Sequence, residues 1–423
     1  MLIIKNAKSI DELETLYAFP NELDVVLDAE GRLMAIPALI DPHVHFRTPG
    51  QEHKENWISG AQAAVHGGVT TVIDMPNNTP SCITLERLLE KKKLINQQLS
   101  EAKIPLHYAL YLGADQNHLD EIAKAKNEVI GIKVFMGSST GDLLMTDDSA
   151  LDQVFKIAAQ ENLLVSVHAE DEDIIQEKKK EYATSLDPAT HSKIRDRSAA
   201  IRATSKAIDL AAKYNTRLFI LHVSTKEEME LIRQAKKEGI HVYCEVTPHH
   251  LFLCDRDYAQ WGTKVQMNPP IRTQEDQDSL WEAIHDGTVD TIGTDHAPHS
   301  REEKELPYGQ APSGIPGIET VLPLLLNAYH ENKISLEKII DLTHRNPKRL
   351  FGLGDTRDVV LVDLEREQLV AEDNLKTKCG WSPYAGRTLK GWPIFTLLNG
   401  HVYQVNGVGE YSPPVVANEC NQV

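Results

Sequence analysis

The stretch Ile40–Arg47, IDPHVHFR, ends an apolar run with two histidines one residue apart. Side chains alternate along a strand with period two, so His43 and His45 share a face and reach toward one point. Four more metal-ligand types stand in the same kind of place: Lys133 in GIKVF, His168 in LVSVHAE, His222 in LFILHVS and Asp295 in TIGTDHAPH. Each belongs to a short apolar run, such as Leu164-Val165-Ser166-Val167 or Phe219-Ile220-Leu221. A strand that ends in a ligand aims it at one rim of a sheet. Six ligands on one rim converge on one site, of the kind that supports metal-assisted hydrolysis.

Working outward, eight runs read as strands: Leu39–Val44, Thr70–Met75, Leu106–Leu112, Val129–Phe135, Leu163–Val167, Leu218–Leu221, His241–Val246 and Thr291–Thr294. Helical patterns lie between most of them, at Asn56–His66, Thr84–Glu101, Ser149–Gln160, Ala199–Tyr214 and Lys226–Glu238. The last has Met229, Ile232 and Ala235 at helical spacing. Eight strands alternating with helices predict a (β/α)8 TIM-like barrel, an α/β fold whose functional residues sit at the C-terminal ends of its strands. The ligand candidates fall at those ends. The chain termini differ. They carry short β-type segments such as Asp358-Val359-Val360-Leu361-Val362-Asp363, broken by turns like Asn399-Gly400. We therefore expect residues 1–38 and 351–423 to form a small β-sandwich domain together, with the barrel over 39–350. The turn-rich Gly309–Gly317 follows strand eight on the predicted active rim.

The chain has 423 residues, 41% hydrophobic and 25% charged, which is ordinary globular composition. Its net charge of −18 argues against a general nucleic-acid or anionic-membrane binder. A local metal and a few basic side chains would still accommodate an anionic substrate. Cys82, Cys244, Cys254, Cys379 and Cys420 are scattered, odd in number and without a CxxC pair, as expected of reduced thiols in a cytoplasmic protein. The opening MLIIKNAKSIDELE is too short in apolar residues for a signal peptide. No run approaches the roughly 18 apolar residues of a membrane span.

A single strand-end histidine is more often a hydrogen-bonded core residue, but four of them with an aspartate outweigh that reading. Lys133 is the odd member. Inside Ile132-Lys133-Val134-Phe135, a charged lysine is costly to bury unless paired or snorkelling to the rim. The alternative is a lysine N-carboxylated by CO2, an anion with two oxygens able to bridge two metals. Two divalent ions bring +4; carboxylated Lys133, Asp295 and a bridging hydroxide bring −3, leaving a site of about +1 that attracts an anion. Asp147 and Asp148, after strand four, are the other candidate carboxylates for that bridge.

The motifs HVHFRTPG, VIDMPNNTP, GIKVFMGSSTG, HAED, HVST, TPHHL, MNPPIR and GTDHAPH follow the order seen in bacterial dihydroorotases. From about Ile40 to about Leu350 the chain resembles the amidohydrolase superfamily, and within it the cyclic-amide hydrolases of that kind. The resemblance implies two Zn2+ per chain. His43 and His45 would bind one and His168 and His222 the other, with carboxylated Lys133 as the bridge. Asp295 would bind the first zinc and shuttle the proton. It further implies Arg47 and Asn77 on the substrate carboxylate, Asn268 and His299 positioning ring and carboxylate, and the Ser313-Gly314 backbone as a further contact. Arg47 has a planar fork suited to a carboxylate, and lies two residues past His45 on the same face.

The implied reaction is the reversible cyclisation of N-carbamoyl-L-aspartate to dihydroorotate in pyrimidine biosynthesis, by a zinc-bound bridging hydroxide. The nearest alternatives are hydantoinase (dihydropyrimidinase) and allantoinase, whose ring substrates lack the carboxylate. A rival of another class is an inactive scaffold for a partner such as aspartate transcarbamoylase. A homodimer is expected by analogy with the family. The chain departs from the family pattern in Arg47-Thr48-Pro49-Gly50, where a carboxylate commonly follows the arginine, in Pro37-Ala38, and in His191–Arg202. The GSSTG loop, Gly137–Gly141, is small and flexible in composition: it reads first as a simple turn, and alternatively as a loop that closes over a substrate.

Overall fold

The computed structural model describes residues 2–9, 18–19, 25–139, 143–407, 409–411 and 414–416. Thr140 and Gly141 of the GSSTG loop, Cys420, and parts of both terminal segments lie outside the described residues. The chain opens with β1 (Leu2–Lys5), β2 (Lys8–Ser9), β3 (Ala18–Phe19), β4 (Val25–Asp28) and β5 (Met34–Pro37). Eight strands then alternate with helices: β6 (Leu39–Val44), β7 (Val69–Asp74), β8 (His107–Gly113), β9 (Gly131–Phe135), β10 (Leu164–His168), β11 (Leu218–Ile220), β12 (Val242–Val246) and β13 (Thr291–Ile292). Last come β14 (Val359–Leu369), β15 (Thr388–Leu398), β16 (His401–Gln404) and β17 (Val415–Val416).

Strands β6 to β13 hydrogen-bond in sequence order as one parallel sheet. A bridge from Val44 to His296 joins its two ends, with the His45 N–H donating to His296 O at 2.8 Å. The sheet is thus a (β/α)8 barrel, as its sequence rhythm predicts. Its strands are apolar and buried along nearly their whole length because helices cover them outside and side chains fill them inside. The helices begin where side chains can cap them. Asn56 accepts from Ile58 and Ser59 N–H ahead of the helix Trp57–His66, and Thr225 and Glu228 form a capping box at Lys226–Lys237.

The two chain ends meet in a β-sandwich. One sheet runs β17-β4-β1-β3 and the other β16-β15-β14-β5-β2. Ile4, Leu27, Leu33, Leu361, Ile394 and Phe395 pack between them. Not all of the C-terminal part joins this sandwich. Val370, Cys379, Trp381 and Tyr384 pack instead against Leu253, Tyr258, Ile271 and Leu324, at the barrel. Cys82, Cys244, Cys254 and Cys379 are buried free thiols. Among the described residues, no helix is long and apolar enough to cross a membrane.

Candidate active site

The predicted ligands gather at one mouth of the barrel. His43 lies in β6 and His45 just past its end. Lys133 is central in β9 and His168 closes β10, while His222 and Asp295 follow β11 and β13. Arg47, His222 and Asp295 all have left-handed backbone, with φ of 62°, 39° and 44°. Non-glycine residues pay of order 1–3 kcal/mol for such conformations, which persist where the surrounding structure imposes them. Here they turn three side chains off the strand direction.

The nitrogens of His43 and His45 are divided between two tasks. His43 Nδ1 is 2.9 Å from Glu245 Oε1, and His45 Nδ1 is 2.8 Å from Asn77 Oδ1. With Nδ1–H donating in each, both Nε2 atoms present lone pairs. Those two atoms lie 3.2 and 3.0 Å from a single oxygen, Oδ1 of Asp295. Burial lowers the pKa of each imidazole to about 4, against the pull of Asp295. Burial would raise the Asp295 carboxyl, but the neighbouring His43 and His45 outweigh it and hold it well below the usual carboxylate range. With both ring protons on Nδ1, three electron-pair donors face one another, an arrangement that fits a cation at their centre. Among the described residues these three are the one group of His, Cys, Asp or Glu side chains with ligand atoms within 4.8 Å of one another.

A second pair adjoins the first. His168 Nδ1 is 3.1 Å from His222 Nε2, and the His43 and His222 rings are 5.4 Å apart. His168 Nε2 lies 3.0 Å from Glu170 Oε2. Burial works against ionisation of Glu170, but Arg195 and His168 hold its pKa at about 2. His222 Nδ1 is buried with no hydrogen-bond partner among the described residues. Among the described residues, no third His, Cys, Asp or Glu ligand atom groups with both members of this pair. Lys133 is 1% exposed, makes no ion pair among the described residues, and sits with Nζ 4.5 Å from the Phe135 ring centroid. Its neighbours in register are Gly113 and Ser166, both small. Burial lowers its pKa to about 7, against Asp295 and Glu245. The other candidate bridges are committed elsewhere. Asp147 is exposed and caps the helix Asp148–Gln160, accepting from the Ala150 N–H at 2.6 Å, while Asp148 pairs with Lys206.

Beside the candidate ligands lies a cationic cluster. Arg47, 3% exposed, donates from Nε to Pro298 O at 3.1 Å and places Nη2 3.2 Å from His299 Nε2. His299 Nε2 is also 3.0 Å from Ser313 O. Gln266 Nε2 donates to Ser313 Oγ at 3.1 Å, and the Gly314 N–H donates to Gln266 O at 2.9 Å. Gly314 has φ 137°, and a Cβ there would lie 2.6 Å from Ala297 O and 3.0 Å from His299 Cδ2, so only glycine fits. Asn268 Oδ1 is 2.9 Å from His191 Nε2, whose ring also approaches Ser313 Oγ at 3.5 Å. Arg47, Asn268, His299, Ser313 and Gly314 are thus tied into one wall, while Asn77 is bonded to His45 among the candidate ligands.

Several residues of this site escaped the sequence reading: Glu245, Glu170, Arg195, His191 and Lys54. Two carried a signal. Glu245 is a carboxylate inside the apolar run of β12, and Glu170 follows a candidate ligand by two residues.

A barrel that gathers four histidines and an aspartate at its strand ends, with a lysine inside a neighbouring strand, defines a class of metal-type hydrolase. The chain belongs to the amidohydrolase family, whose pattern matches residues 34–401. Within it the chain is similar to dihydroorotases. It is 33% identical to the dihydroorotase of Methanosphaera stadtmanae over 425 residues, covering 97% of this chain and 94% of that one. It is 35% identical over 379 residues to the multifunctional protein CAD of Squalus acanthias, covering 89% of this chain and 15% of that protein. Among solved structures, the L-hydantoinase (dihydropyrimidinase) from Arthrobacter aurescens superposes with a TM-score of 0.88 at 29% identity, covering 96% of each chain.

Proposed function

We propose that this chain is a dihydroorotase, opening the amide ring of dihydroorotate to N-carbamoyl-L-aspartate and closing it again. One observation carries the choice among ring substrates: a buried Arg47 faces His299 beside the ligand cluster, in a chain of net charge −18. A guanidinium held there, with no carboxylate ion pair among the described residues, suits a substrate anion. The similarity to dihydroorotases over nearly the whole chain supports the same reading.

Two zinc ions, one on His43, His45 and Asp295 and one on His168 and His222 with carboxylated Lys133 joining them, would supply an acidified water and a polarised carbonyl. The buried Lys133, free of any ion pair among the described residues, supports its conversion to a carbamate. The chain's own groups do the rest. Arg47, Asn77 and His299 grip the ring carboxylate, and Asn268 with the Ser313-Gly314 backbone orients the ring. Ionised Asp295 takes a proton from the attacking water and delivers it to the ring nitrogen as the C4–N3 bond breaks. Glu245 and Asn77 hold His43 and His45 in the tautomers that leave Nε2 free. A match lying inside a multifunctional protein supports association with other enzymes, aspartate transcarbamoylase being the expected partner.

Arg47→Met tests the assignment. It is expected to raise KM for dihydroorotate about 10- to 100-fold, from the roughly 1.5–3 kcal/mol of a hydrogen bond to a charged group, with zinc content unchanged. Parallel loss of zinc and of substrate binding would make Arg47 a structural residue instead. The likeness to the hydantoinase structure favours a second reading, hydrolysis of an uncharged ring, and the substrate comparison that closes the Discussion decides between the two.

A further inference from the structure

His299 is surrounded by donors. Its Nδ1 lies 3.2 Å from Lys54 Nζ, and its Nε2 lies 3.2 Å from Arg47 Nη2. An ammonium and a guanidinium can only donate, so a neutral imidazole accepts from one of them and not the other. The acceptors decide which. Nε2 is 3.0 Å from Ser313 O, whereas the Glu303 Oε2 facing Nδ1 is 3.5 Å away. A proton on Nε2 satisfies two contacts at normal length: Lys54 donates to Nδ1, and Nε2–H donates to Ser313 O. A proton on Nδ1 lets Arg47 donate to Nε2 at 3.2 Å, but leaves Ser313 O facing a lone pair and gives Nδ1–H only a long contact to Glu303. The ring is buried among Arg47, Lys54 and Lys304, which opposes a doubly protonated state.

We propose that Lys54 is a positioning residue that fixes His299 as the Nε2–H tautomer, whose single N–H is shared between Ser313 O and the substrate anion held by Arg47. The proposal deepens the dihydroorotate reading and rests on it. With the proton on Nε2, Arg47 Nη2 finds no acceptor in His299 and keeps that arm for the substrate carboxylate. Lys54 is held in place to do this. It lies between β6 and the helix Trp57–His66, on the same connection as Arg47. The next residue, Glu55, accepts from Thr377 Oγ1 and from the Lys378 N–H. The charge of Lys54 is partly offset by Glu303, whose Oε1 is 3.3 Å from Nζ and 3.4 Å from His53 Nε2. The effect therefore works through the direction of the hydrogen bond more than through the field.

The test uses the full-length, zinc-loaded protein as wild type, Lys54→Met and Lys54→Arg. Nitrogen-15 NMR of histidine-labelled protein reads the His299 tautomer, with His299→Asn identifying its resonance. Steady-state kinetics on dihydroorotate are measured beside it. The expected result is an Nε2–H wild type, a Lys54→Met variant shifted toward Nδ1–H, and a KM raised about tenfold with kcat within about twofold. Lys54→Arg, still a donor, is expected to restore tautomer and KM. An Nδ1–H wild type overturns the proposal, and so does Lys54→Met with an unchanged tautomer and KM. If wild type opens no dihydroorotate yet its His299 tautomer responds to Lys54, the substrate reading fails while the role of Lys54 on His299 stands.

Discussion

Lys133→Ala is expected to lower kcat more than about 100-fold, beyond the upper end of what loss of an outer partner of a metal site costs, and to lower zinc retention with it. The reason lies in the second histidine pair. His168 and His222 face each other at 3.1 Å and, among the described residues, no third His, Cys, Asp or Glu ligand atom groups with both, while Asp147 caps a helix and Asp148 pairs with Lys206. Lys133 is the remaining candidate. As an ammonium it would add a positive charge among ligands for cations; as a carbamate it adds an anion with two oxygens. Its neutral amine attacks CO2, forming the N–C bond and releasing one proton. A small carboxylic acid supplied to Lys133→Ala is therefore expected to restore part of the activity and of the bound zinc. Full activity without rescue would remove the carbamate from the account.

Asp295→Asn is expected to cost about 10²- to 10⁴-fold in kcat, the range for loss of a positioned proton-transfer group. KM for dihydroorotate is expected to change little, because the pocket of Arg47, His299 and Ser313 is built without Asp295. Zinc content, measured alongside, separates loss of the proton shuttle from loss of a ligand. The pH dependence follows from directions already given. Asp295 has a depressed pKa, so the ionised form needed for ring opening is present at neutral pH and is lost only as pH falls through that low value. His43 and His45 act in the same sense. They are neutral above about 4 and protonate as pH falls through it, which competes with any bound cation. Ring opening is therefore expected to fail on the acid side first, with zinc release accompanying the loss. Retention of zinc and activity well below pH 4 would contradict these assignments.

The barrel was legible because its signals are local. A buried parallel strand reads as a short apolar run, and a ligand at its end needs no knowledge of its neighbours. Asn56 and Thr84 mark helix starts for the same reason. What the sequence did not disclose depends on distant pairing. Glu245 meets His43 across 202 positions, and Lys54 meets His299 across 245. Asn77 could be assigned to substrate by resemblance, but its hydrogen bond to His45 emerges only when β6 and β7 are neighbours. Asp147 read as a possible bridge because it follows strand four, yet its side chain satisfies a backbone N–H at a helix start, a competing use that short acidic residues commonly have. Trp381 is a further case. It sits in the C-terminal part expected to be sandwich, but its indole N–H donates to His299 O at 2.8 Å, so this segment buttresses the wall that carries His299.

The most direct measurement follows ring opening of L-dihydroorotate by the purified, zinc-loaded chain, with dihydrouracil, hydantoin and allantoin beside it. Turnover of dihydroorotate, with the three rings that lack its carboxylate turned over far more slowly, is the predicted result, since Arg47, Asn77 and His299 are assigned to that carboxylate. Turnover of an uncharged ring in preference to dihydroorotate would contradict the account and make the chain a hydantoinase-like enzyme.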